Sequence, residues 1–71
     1  MAEYVIIIEK AGKNYAAMVP DLPGCIGAAD TIEELEELMR EAVEFHIEGM
    51  RLHGEEVPPP STRVSTVQVA S

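Results

Sequence analysis

Pro20-Asp21-Leu22-Pro23-Gly24-Cys25 organises this chain, because two prolines, an acid and a glycine build a rigid corner between two apolar segments. Proline holds φ near about −65° and biases its predecessor away from helix, while glycine takes the positive φ that other residues resist. The segment before Pro20 therefore ends there, and a new one starts at Cys25. Upstream, Tyr15-Ala16-Ala17-Met18-Val19 reads as a strand running into the corner. The polar, glycine-bearing Lys10–Asn14 has the length of a hairpin connection. Before it, Tyr4–Glu9 is a β-branched run without polar alternation, as in a strand placed centrally in its sheet. Downstream, Cys25–Ala29 is short and apolar, a third strand in which Gly27 marks a bulge or a close backbone approach.

Asp30-Thr31-Ile32-Glu33-Glu34-Leu35 is a helix start with two capping boxes in competition, Thr31 with Glu34 and Asp30 with Glu33. Leu35, Leu38, Met39, Ala42, Val43, His46, Ile47 and Met50 then recur at helical spacing and draw one apolar stripe to pack on the sheet. Acids in the first turn, Arg51 and His53 in the last, and Gly54 just beyond agree with the helix dipole and a glycine stop. Glu55–Ser61 contains three successive prolines and reads as a stiff connector. Thr62–Val69 is rich in β-branched residues and is expected to form a fourth strand, with the imperfect alternation of an edge or a bulge. The expected fold is therefore α+β, β-β-β-α-β, with a three- to four-stranded, mainly antiparallel sheet and one long helix on one face. Residues 1–71 read as one domain.

A chain of 71 residues buries only about 60% of its unfolded surface. One cysteine gives no intrachain disulfide, and no cluster of His and Cys offers a structural zinc. Self-association into a homo-oligomer is the remaining remedy. Thirteen acids against five bases leave a formal charge of −8, which opposes nucleic acid and anionic membranes and suits a basic protein partner. No basic leader region and no membrane-length apolar run precede the first strand, so a cytoplasmic chain with Cys25 as a buried, inert thiol is expected.

Few residues point to chemistry. Glu9 and Asp21 near strand ends would suit a divalent cation, as in a metal-dependent nuclease of RNase H type, but companion acids are lacking there. Asp21 is more simply a turn residue bonding to the local backbone. His46 and His53 stand two helical turns apart, too far for one ion. The Gly24 to Gly27 spacing lacks the lysine of a phosphate loop. No metal site and no cofactor are expected. Glu33, Glu37, Glu41, Glu44 and Glu48 repeat along the helix with Arg40 four residues from both Glu36 and Glu44, forming either a solvated face or an acidic docking face.

The apolar first strand, the Val19–Cys25 corner, Asp30-Thr31 with Glu33-Glu34, and the exit Gly54-Glu55-Glu56-Val57-Pro58-Pro59-Pro60 occur in an order that resembles the HicB-type antitoxin family. The resemblance covers nearly the whole chain. It departs at Ala29 and Leu35, where relatives often have Gly and Ala. It implies a shortened RNase H-like fold without catalytic acids, and a binding role: neutralising a small basic HicA-type toxin that degrades mRNA. Full-length antitoxins of this type usually add a C-terminal DNA-binding domain; none is expected within residues 1–71, so DNA binding is not expected of this chain. Partner contacts are expected at Asp21, Leu22, Pro23, Glu37, Glu41 and Glu44. Pro20, Pro23, Gly24, Asp30, Thr31 and Gly54 form the structural signature. The alternatives are the nuclease and a solitary oligomeric binding domain with no toxin.

Overall fold

The computed structural model describes residues 2–70. Strands β1 (Ile7–Ala11), β2 (Asn14–Met18) and β3 (Ile26–Ala29) precede one long helix, α1 (Ile32–Leu52). The strands form an antiparallel sheet in the order β1-β2-β3. This is the expected α+β arrangement, with one correction. β2 is the central strand, and β1, expected at the centre from its unbroken β-branched run, lies at an edge, with Ile8 packed against the core rather than a second strand alongside.

The first hairpin is tighter than its composition suggests. Ala11 pairs with Asn14, leaving only Gly12 and Lys13 in the loop. Gly12 has φ +65°, and Lys13 does not share its positive φ, which is the pattern of a type II′ turn with glycine first. Both strands thus extend into the segment read as connection. At its other end the β1–β2 ladder stops at Ile7 and Met18, so β1 begins three residues later than expected. The chain opposite Tyr4–Ile6 departs into the corner, and Pro20 has no N–H to donate.

Pairing in register places Ile8, Ala17 and Gly27 in one row across the sheet. An added Cβ at Gly27 would lie 2.9 Å from Met39 Sδ and 3.2 Å from Leu38 Cδ2. This row therefore faces α1, and Gly27 marks a close helix approach, as expected for one of its two readings. Ala17, Val19, Leu22, Cys25, Leu35 and Met39 form the buried centre, with Tyr4, Ile6, Ile8, Val43, Ile47 and Met50 among the half-buried residues around it. The alternate row, Ile7, Met18 and Ile26, lies on the uncovered face of the sheet, with Ile26 71% exposed.

The fourth strand is a correction. Residues 55–70 carry no strand or helix. Val64, Val67 and Val69 remain exposed. A β-branched segment becomes a strand only where a neighbour offers a ladder, and within one chain this segment finds none.

Candidate partner-binding surface

The corner at Pro20–Gly24 is two consecutive β-turns. Leu22 N–H donates to the Val19 carbonyl at 3.1 Å and Cys25 N–H to the Leu22 carbonyl at 3.0 Å. Proline occupies the second place in each turn, and Gly24 has φ +87° in the third place of the second, as a type II turn requires. Val19 N–H donates to the Cys25 carbonyl at 3.1 Å and closes the neck.

This geometry divides the corner residues predicted to meet a partner. Leu22 points inward and is 0% exposed; its expected place on the surface is corrected, because the double turn folds its apex side chain back over the core beside Val19 and Cys25. Pro23 is exposed. Asp21 is engaged within the chain: its Oδ2 accepts the Ser61 and Thr62 backbone N–H groups at 3.0 and 3.1 Å, and its Oδ1 accepts both hydroxyls at 3.0 Å. The Thr62 N–H foremost, aided by Ser61 and opposed in part by desolvation, holds the Asp21 carboxyl below its usual range. Tyr4 Oη donates to the Pro58 carbonyl at 2.6 Å nearby. The clasp between Asp21 and Ser61-Thr62 was not legible in sequence, since nothing local announces a bond across forty residues.

Glu37, Glu41 and Glu44 all lie exposed on α1. Arg40 bonds to Glu37 and, at 3.1 Å, to Glu44. Its hydrogen bond and then its charge hold the Glu37 carboxyl below the ordinary range. The Arg40–Glu36 pairing weighed from spacing is not made among the described residues. Glu41 projects with no ion pair among the described residues. The face thus keeps a net negative charge, and ion pairs as exposed as these add little to stability.

The helix that carries this face is closed at both ends. Thr31 Oγ1 accepts the Glu34 N–H at 3.1 Å and donates to Glu34 Oε1 at 2.9 Å, which selects Thr31 over Asp30 as the cap. At the other end Gly54 has φ +70°, and Glu55 N–H reaches the Met50 carbonyl at 2.9 Å while Gly54 N–H reaches that of Arg51 at 3.1 Å. That is a Schellman close. Cys25 is buried, and desolvation pushes its thiol pKa up, away from nucleophilic reactivity. Glu9 pairs with Ala16 across the sheet, well before the corner that carries Asp21. Among the described residues no group of three or more His, Cys, Asp or Glu is placed to hold a metal ion.

A family described as the HicB-like antitoxin of bacterial toxin-antitoxin systems matches residues 4–70. The chain belongs to the HicB-like antitoxin family. Among its relatives, an uncharacterized 14.9 kDa protein of the rep-hol intergenic region of Haemophilus phage HP1 is 49% identical over 55 residues, 78% of this chain and 41% of the phage protein. A UPF0150 protein of Archaeoglobus fulgidus is 40% identical over 47 residues, 65% of this chain and 68% of its own. A UPF0150 protein of Thermoplasma acidophilum is 33% identical over 66 residues, 92% of this chain and 96% of its own. The chain spans less than half of the phage relative and nearly all of the Thermoplasma one, so this HicB-like domain occurs in proteins of different length. No helix among the described residues is long and apolar enough to cross a membrane.

Proposed function

We propose that this HicB-like domain works by binding rather than catalysis, neutralising a small basic ribonuclease toxin of the HicA type. The family match over residues 4–70 carries the proposal. The acidic face of α1 supports it, since Glu37, Glu41 and Glu44 present negative charge on a capped helix. Complementary charge chiefly raises association rate and selectivity. Pro23 lies apart from this face, beside Phe45, His46 and Gly49 in the C-terminal half of α1, and would add a neutral contact there. The engagement of both Asp21 oxygens by Ser61 and Thr62 favours a structural over a metal-binding role for that carboxylate. Cytoplasmic residence and assembly with further copies belong to the same proposal.

The test is association of the purified chain with a HicA-type ribonuclease encoded beside its gene, followed by titration calorimetry and inhibition of RNA cleavage. Binding is expected to weaken steeply with salt. The triple reversal Glu37→Lys, Glu41→Lys, Glu44→Lys is expected to weaken it roughly tenfold or more. Full inhibition by the triple variant would remove the acidic face from the reading, and absence of any complex would remove the antitoxin role.

The Thermoplasma relative favours a second reading, because this chain covers 96% of it. A protein of little more than this domain is compatible with an oligomeric binding module that has no toxin. Retained oligomers with no toxin complex would mark that outcome.

A further inference from the structure

Among the described residues, two segments with strand composition have no ladder partner: Tyr4–Ile6, which overhangs the start of β1, and Thr62–Val69. The second leaves the body as an arm. A compact chain of this length has a radius of gyration of about 11 Å, whereas the Cα atoms here give 13.9 Å. The molecule is 48 Å long, although its 21-residue helix accounts for only about 31 Å. Val64, Val67 and Val69 are 74–86% exposed. Among the described residues its hydrogen bonds to the body lie at its base, where Asp21 binds Ser61 and Thr62 and Tyr4 binds the Pro58 carbonyl.

Beside the overhang lies a groove of about 620 Å³ between Tyr4 and Ile6 on one wall and Met39, Val43 and Ile47 of α1 on the other. Such a slot, at the open edge of a sheet and under its helix, is where one more strand would pair through its backbone and place alternate side chains inward. Val67 and Val69 have that spacing. Charge selects the arm as occupant. All thirteen acids lie at or before Glu56, and the arm carries Arg63 as its sole charged side chain. The groove is bordered by Glu3, Glu36 and Glu44 with one arginine, Arg40, itself bonded to Glu37 and Glu44. Two bodies of such net charge repel one another, whereas the arm meets the groove with opposite sign.

We propose that the arm of each molecule adds as a strand to the Tyr4–Ile8 edge of a second copy, seating Val67 and Val69 in its groove, so that two chains exchange arms. The expected fourth strand then exists between chains and not within one.

Sedimentation equilibrium should show a dimer, and Val67→Asp with Val69→Asp should weaken it roughly a hundredfold or more while leaving helix content by circular dichroism unchanged. In an equal mixture of isotope-labelled and unlabelled protein, filtered nuclear Overhauser spectra should connect the valine methyls of the arm to Tyr4 and Ile6 of the other molecule. A monomeric parent protein, an undiminished dimer in the double variant, or contacts confined to one chain with the arm folded into its own groove would each overturn the proposal.

Discussion

Leu22 illustrates how much a single side chain carries in a core of six buried residues. Truncating a fully buried leucine costs about 2–5 kcal/mol, and a domain of this length has roughly 4–10 kcal/mol to lose. Leu22→Ala is therefore expected to lower the urea midpoint sharply and to leave part of the population unfolded at 25 °C. Asp21 acts differently, by holding a distant segment. Because its carboxyl is held below the ordinary range in the folded chain, its bonds add stability at pH values above the unfolded pKa of about 3.9 and lose it as pH falls through the lower, folded value. Protection of the Ser61 and Thr62 amides, taken relative to the intrinsic exchange rate at each pH, should fall on acidification below about pH 4. Asp21→Asn should show fast exchange at neutral pH and lose that acid transition. An unchanged transition in the variant would assign it to another carboxylate.

At the scale of elements, α1 was legible because its signals are local: a cap, a 3.6-residue stripe and a glycine stop all fall within a few residues of what they control. Thr31→Ala should cost about 1 kcal/mol, and Gly54→Ala a similar amount through its positive φ, both read by urea denaturation. Gly27→Ala should cost about 1–3 kcal/mol, since the new methyl meets the fully buried Met39 and the half-exposed Leu38. A gain in stability would mean that the Met39 thioether moves aside freely. The strands were legible as composition but not as boundaries. Tyr4–Ile6 and Thr62–Val69 have strand residues without a strand, because a ladder needs a partner that no local pattern can announce. Leu22 was misplaced for a related reason. Turn residues are usually exposed, and only the two successive turns of the corner, seen in three dimensions, direct this one inward. The acidic positions of the candidate site, Glu37, Glu41 and Glu44, could be read as exposed from the helical period alone.

For the whole molecule, the small core and the uncovered apolar groove point the same way. If chains exchange arms, dissociation and unfolding are coupled, and the melting temperature should rise with protein concentration; a tenfold dilution that leaves it unchanged would show that the monomer stands alone. Added salt is expected to weaken association of the acidic chain with a basic toxin steeply, while arm exchange, which seats valines and involves a single charge on the arm, should respond far less. One salt titration thus separates the two kinds of complex. The clasp between Asp21 and Ser61-Thr62 has a temporal consequence as well. It closes a span of forty residues, a closure that is entropically costly until α1 has formed and shortened the path between its ends. Its bonds should therefore appear last in refolding, making the Ser61 and Thr62 amides a clock for the completed fold.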